Sequence, residues 1–241
     1  MRIQILASGS TGNATFVEIN NTRFLIDMGI SCYQIEKKLK KNHIDPHSIN
    51  GILITHEHND HIRGLLGFVK KYNTDVFFSK NVAFNDANQF FAERMHNDIK
   101  ITTFRTSHDL ENSYGYILEY QNESLVYLTD TGYINKKILK KIKNKKTYIF
   151  ESNHDIEMLM LTRRPHHLKL RILGDKGHLS NEDCAYYLSQ VVGGKTKNII
   201  LAHLSEEANN KEKAYMITRE RIKDSINIIV AEKDGNGLME I

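Results

Sequence analysis

Ile52-Leu53-Ile54-Thr55-His56-Glu57-His58-Asn59-Asp60-His61 runs from an unbroken apolar strand straight into three histidines and an aspartate. Imidazoles crowded at a strand end serve no packing purpose. Neutral imidazole and carboxylate are, however, preferred ligands of zinc and similar divalent ions. One histidine is readily absorbed into a core; a set this dense is not. His56 and His58 converge on one ion if the backbone turns between them, and Asp60 and His61 then face a second.

Outward from that stretch, further donors stand after apolar strands. His108 follows Ile99–Phe104 by the link Arg105-Thr106-Ser107. Asp130 closes Leu125–Thr129, His203 follows Asn198–Leu201, and Asp27 closes Thr22–Ile26. Loops at strand ends, held by a rigid sheet, are where catalytic groups collect.

The remaining strands are expected at Ile3–Ala7, Thr15–Ile19, Asp75–Phe78, Tyr116–Tyr120, Thr147–Phe150 and Ile226–Ala231, with Thr22–Asp27 and Gly51–Thr55 as the full spans of two named above. Helices are expected at Cys32–Lys41, Ile62–Lys71, Val82–Met95, Asn135–Ile142, Asn181–Val192 and Lys211–Ile222. Asn20-Asn21 suits a two-residue hairpin turn, because Asn tolerates positive φ. Ser31 with Gln34 forms a capping box for the first helix. In the lysine-rich helix Ile134, Ile138 and Ile142 make a buried stripe, which leaves Lys136, Lys137, Lys140 and Lys141 as a solvated face. Consecutive hairpin strands followed by alternating strands and helices fit a two-sheet core with helices on both outer faces. Two prolines and no Gly/Ser linker mark no boundary, so residues 1–241 read as a single domain.

Composition narrows the class. Of 241 residues 40% are hydrophobic and 26% charged, as in ordinary folded cytosolic proteins. No apolar run approaches the roughly 20 residues a membrane span needs. The opening Met1–Ser8 alternates like a strand rather than a signal peptide, so the cytoplasm is the expected location. Cys32 and Cys184 lack the spacing of a disulfide framework or zinc knot. A net charge of +4 does not by itself demand nucleic acid, but the segment Arg163–Arg171 is locally basic.

The ordered set Asp27, His56-x-His58-x-Asp60-His61, His108, Asp130 and His203 resembles the five motifs of the metallo-β-lactamase superfamily. Ser8-Gly9-Ser10-Thr11-Gly12-Asn13, Glu151-Ser152-Asn153-His154-Asp155, Gly177-His178-Leu179-Ser180-Asn181 and Leu201-Ala202-His203-Leu204-Ser205 resemble its YycJ/WalJ-type branch. The resemblance implies an α+β fold, the four-layer αββα sandwich, and a dinuclear hydrolase. For that branch it implies a 5′-to-3′ DNA exonuclease linked to mismatch repair. It assigns His56, His58 and His108 to one ion, and Asp60, His61 and His203 to the other, with Asp130 bridging both. Asp27 then orients the metal loop through hydrogen bonds without binding metal.

Two ions about 3.5–4 Å apart can share a hydroxide and clamp the attacking and leaving oxygens of a phosphodiester. Asp60 is placed to hold or deprotonate the attacking water. His178 is the candidate general acid, although it stands beside a helix start that Ser180 caps better by type. His154 is open between a substrate contact and a structural role beside Asp155. Ser8, Ser10 and Asn13 form a glycine-punctuated loop that suits either a phosphate or a tight turn. Arg163, Arg164, Lys169 and Arg171 are either a grip on a nucleic-acid backbone or ordinary surface charge.

The expectation is therefore a phosphodiesterase with two divalent ions, zinc or manganese, acting on nucleic acid, above all DNA. A small-molecule hydrolase of cyclic phosphodiesters, thioesters or lactams on the same scaffold is the alternative. A non-catalytic nucleic-acid or regulatory binding protein would have lost ligands, and none is lost here. A lactamase is disfavoured by Asp130 as bridging carboxylate. An RNase J-like enzyme is disfavoured because there is no room for its inserted domain.

Overall fold

The computed structural model describes residues 1–77 and 93–241. They group into two compact units, Met1–Thr103 with Glu232–Ile241, and Phe104–Ala231.

In the first unit the strands are β1 (Arg2–Ala7), β2 (Ala14–Ile19), β3 (Thr22–Ile26), β4 (Gly51–Leu53), β5 (Val76–Phe77), β6 (Glu93–His96) and the start of β7 (Ile99–Arg105). The C-terminal β13 (Met239–Glu240) completes a sheet in the order β13-β1-β2-β3-β4-β5. It is antiparallel up to β3 and parallel from β3 to β5. Asn20 and Asn21, at φ 46° and 62°, make the hairpin turn between β2 and β3. The helices are α1 (Cys32–Lys41), capped by the Ser31/Gln34 box, α2 (Asn59–Ile62) and α3 (Leu65–Tyr72). Leu6, Phe16, Leu25, Ile52, Ile54, Leu65 and Phe68 form their common core. At about 1.5–3 kcal/mol per fully buried large side chain, this cluster anchors the strand ends that carry the site.

Two departures from the expected elements have local causes. The single helix expected over Ile62–Lys71 is broken into α2 and α3 at Arg63-Gly64. A Cβ on Gly64 would fall 2.2 Å from the Ile30 carbonyl oxygen, and its N–H donates to Met28 O at 2.7 Å. Most of the helix expected over Val82–Met95 lies outside the described residues. Its end, Glu93–Met95, is instead strand β6, because the positive-φ pair Asn97-Asp98 turns the chain back and sets Arg94 against Ile101.

The second unit contains β8 (Tyr114–Tyr120), β9 (Glu123–Leu128), β10 (Thr147–Glu151), β11 (Asn198–Ala202) and β12 (Asn227–Val230). These lie in the order β12-β11-β10-β9-β8, parallel except at β8–β9. Its helices are α4 (Lys136–Ile142), α5 (Ile156–Leu161), α6 (His166–Leu173), α7 (Asn181–Val191) and α8 (Lys211–Arg221). Ile134 and Ile142 are buried and Ile138 packs against the same core, while the α4 lysines at 136, 137, 140 and 141 face solvent. Tyr148 on β10 is fully buried; its Oη donates to Ile142 O at 2.8 Å and accepts from Lys145 N at 2.9 Å. Helices α5 and α6 were not expected. They are short, Asp155 caps the first and Pro165 opens the second, and only Leu159, Leu168, Ile172 and Ala208 form their small core.

Candidate metal centre

In the first unit the donors collect beyond the carboxyl ends of β3 and β4, where open sheets of this kind place ligands. Asp27 is fully buried at φ +60°. Its carboxylate accepts from Thr55 N at 2.8 Å, Thr55 Oγ1 at 2.9 Å and His61 Nδ1 at 2.8 Å. Capture of the Thr55 N–H also explains why β4 ends before Thr55. With its Nδ1 proton held by Asp27, His61 directs Nε2 outward as a ligand atom. Asp60 Oδ2 lies 3.6 Å from that nitrogen, and Asn13 Nδ2 lies 3.0 Å from it. His56 Nε2 and His58 Nδ1 are 3.0 Å apart, a spacing suited to two ligands of one ion with bonds of about 2.0–2.1 Å.

Backbone bonds sew this loop in place. Asn13 N donates to Asp60 O at 2.8 Å, Met28 N to His61 O at 2.7 Å, and Gly29 N to Asn13 O at 2.7 Å. A Cβ on Gly29 would fall 1.6 Å from the Asp60 carbonyl oxygen, so only glycine allows the approach.

In the second unit Asp130 follows β9, Glu151 ends β10 and His203 follows β11. Asp130 and His203 sit at φ 55° and 60°, a left-handed backbone that side chains rarely adopt and that active sites often retain. Glu151, fully buried, is the hub. Its Oε1 accepts from both His178 Nδ1 and His203 Nδ1 at 2.8 Å. Its Oε2 accepts from Thr131 N at 3.0 Å and Leu179 N at 3.2 Å. Burial opposes its charge, but the two imidazoles outweigh that and hold the carboxyl at about 2. Donor atoms of Asp130, Glu151, His178 and His203 all lie within 4.8 Å of one another. Asn153 Nδ2 donates to His203 O at 2.8 Å, bracing its strained backbone.

The remaining candidates separate clearly. His178 keeps 22% of its side chain exposed and caps nothing; Ser180 Oγ accepts from Asp183 N and is the cap of α7. His108 is buried, with Nε2 3.2 Å from Asp109 Oδ1, and burial pushes its pKa below the ordinary imidazole value. His154 is 1% exposed, and burial pushes its pKa down to about 4. Lys169 is buried and donates to Met160 O and Thr162 O, satisfying the last carbonyls of α5. Arg164 pairs with Glu207 at 2.8 Å, Arg171 pairs with Asp109, and Arg163 is exposed. Ser10 is exposed at the tip of its loop, whereas Ser8 and Asn13 are buried and Asn13 accepts from Gly9 N.

The donor chemistry fits divalent ions: buried imidazoles whose Nδ1 protons are held by Asp27 and Glu151 present Nε2 as ligands. Sequence reasoning gave Glu151 no role. The signal was present, since Glu151 follows an apolar strand just as Asp130 does.

The sequence profile of the Beta-lactamase superfamily domain matches residues 22–203, and the chain belongs to that family. Its likeness to the metallo-β-lactamase fold protein YhfI of Bacillus subtilis has a TM-score of 0.77 at 12% identity, covering 99% of each chain. The chain thus has the metallo-β-lactamase fold expected from its motifs. It is 37% identical over 230 residues to exodeoxyribonuclease YycJ of Bacillus anthracis, covering 90% of this chain and 87% of that protein. It is 38% identical to exodeoxyribonuclease WalJ of Streptococcus pneumoniae, covering 89% and 86%.

Proposed function

We propose that the protein is a metal-dependent phosphodiesterase that degrades DNA as a 5′-to-3′ exonuclease. The observation that carries the chemistry is the carboxylate of Glu151, shared by His178 and His203. One residue thereby orients a metal-ligand candidate and a solvent-reaching proton donor together. The choice of DNA is supported by the two exodeoxyribonucleases that the chain resembles over most of its length. The direction of digestion and a place in DNA repair follow the family resemblance.

The residues present would hold two divalent ions, zinc or manganese: His56, His58 and His108 for one, Asp60, His61 and His203 for the other, and Asp130 for both. Bound there, the ions supply Lewis acidity to the phosphodiester and an activated water. The chain's own residues do the rest. Asp27 and Glu151 fix the tautomers of His61 and His203. Asp60 holds the proton of the attacking water. His178, with Nδ1 on Glu151, delivers a proton from Nε2 to the leaving oxygen, a step worth about 10²–10⁴-fold. On this reading residues 1–241 act as one domain in the cytoplasm; no helix among the described residues is long and apolar enough to cross a membrane.

The test is direct. Metal-loaded protein and its Asp60→Ala variant are incubated with end-labelled duplex DNA, single-stranded DNA, RNA and a small phosphodiester. Mononucleotide release from DNA that vanishes in the variant is the expected result. Turnover of the small ester alone would overturn the DNA reading, and binding without turnover would overturn catalysis.

A further inference from the structure

Within the second unit a cleft of about 170 Å³ opens beside His178, lined by Arg164, Arg171, Lys176 and His108, with Asp109 as its one carboxylate. It is small beside the roughly 300–1,000 Å³ of cavities that enclose whole ligands. It suits a single charged group better than a nucleoside. Three cations and one carboxylate line it; with Arg164 paired to Glu207 and Arg171 to Asp109, Lys176 supplies the net positive charge that favours an anion. Leu168 and Arg171 stand on α6, and Arg164 lies just before its Pro165 cap, so the three line one wall of the cleft. Arg171 already holds a carboxylate, that of Asp109. Lys176 is exposed and has no ion-pair partner among the described residues.

The cleft is tied to His178 by the backbone. His178 N donates to Ile172 O at 2.9 Å, and Gly177 N donates to Gly174 O at 2.7 Å. A Cβ on Gly177 would fall 2.1 Å from Ile172 O, so the chain passes directly over the end of α6. A group seated in the cleft is therefore registered to the proton donor.

We propose, resting on the exonuclease reading above, that this cleft seats the terminal 5′-phosphate monoester of the strand being digested. The sequence of bonds along the strand fixes which nucleotide lies on the side of His178. Water attacks the phosphorus between the first and second nucleotides, the P–O3′ bond breaks, and His178 protonates O3′ of the first nucleotide. The second nucleotide keeps the phosphate and becomes the new 5′ end. The leaving side, where His178 stands, thus holds the terminal nucleotide, whose only other phosphate is the 5′ monoester. A dianionic monoester gains more from guanidinium and ammonium donors than a monoanionic diester does. Each cycle also regenerates the same end group, so the seat serves every step of digestion.

The test uses duplexes with 5′-phosphate or 5′-hydroxyl ends on metal-loaded protein, with Lys176→Gln as the variant. The expected result is about a tenfold preference in kcat/KM of the first cleavage, read from release of the labelled terminal nucleotide, for the phosphorylated end, the effect of one charge-assisted hydrogen bond. In Lys176→Gln that ratio collapses toward one. Digestion of both ends at equal rates overturns the seat and leaves the exonuclease reading standing. Absence of any DNA digestion instead overturns that reading, and a binding measurement then decides the seat separately. Fluorescence anisotropy in excess chelator compares oligonucleotides bearing 5′-phosphate, 3′-phosphate or no terminal phosphate. Selective binding of the 5′-phosphate, lost in Lys176→Gln, supports the seat; equal binding of all three, or selection of the 3′-phosphate, overturns it.

Discussion

Glu151 offers two oxygens to four donors, and all four need an acceptor: His178 Nδ1, His203 Nδ1, Thr131 N and Leu179 N. Glu151→Gln is nearly isosteric but presents an NH₂ to one pair of donors whichever way it is turned. A buried donor left without an acceptor costs about 1–3 kcal/mol. The variant is expected to lose thermal stability and at least about 10²-fold in kcat, read by melting and by DNA digestion. A variant with wild-type kcat would show that Glu151 does not position the two imidazoles. His178 admits a sharper test, because a good leaving group needs no proton. His178→Ala should lose about 10²–10⁴-fold on DNA yet stay within a few-fold of wild type on a p-nitrophenyl phosphodiester. Equal losses on both substrates would mean that His178 binds or supports the site without donating a proton.

Elements place these residues through close backbone approaches that only particular side chains permit. The β3–α1 link meets the α2 loop at Gly29, where an added methyl would overlap Asp60 O. Gly29→Ala should therefore displace the loop carrying His58, Asp60 and His61. Metal content, measured by elemental analysis, should fall while far-ultraviolet circular dichroism stays native; full metal occupancy would contradict this account. Tyr148 makes the opposite case. Its hydroxyl ties β10 to the end of α4, away from the metal-ligand candidates. Tyr148→Phe is expected to cost about 1–3 kcal/mol of stability, from the Lys145 N–H and Ile142 carbonyl left unpaired, with digestion by the folded fraction unchanged. The difference between these elements explains what was legible beforehand. Strands with strong apolar runs and caps with defined chemistry, such as Ser31/Gln34, could be read from local pattern. The split of α2 from α3, and the helices α5 and α6, depend on tertiary packing of short segments that carry little periodicity. The ligand candidates were legible because His and Asp after apolar strands are chemically unusual. Glu151 stands after an apolar strand in the same way, but what it does depends on two imidazoles 27 and 52 residues away, which local pattern does not show.

For the whole molecule, ions held by the folded chain but not by the unfolded one add stability of RT ln(1 + [L]/Kd), about 2.7 kcal/mol at a hundredfold excess over Kd. The metal-loaded protein should therefore melt higher than the protein in chelator. The pH dependence of that gap identifies the ligands. Imidazole must be neutral to bind metal, and free histidine gains its proton near pH 6.5. Acidification from pH 8 to 5.5 should therefore shrink the gap. Glu151 cannot produce the same change. Its folded pKa is depressed to about 2, so its contribution is fully present above the ordinary value of 4.5 and is lost only as pH falls from there toward 2. Between pH 8 and 5.5 it is constant, and the shrinkage belongs to the histidines. Scanning calorimetry with and without chelator at the two pH values measures it. A gap that persists unchanged at pH 5.5 would point to ions held by carboxylates alone and would remove the histidines from the metal site.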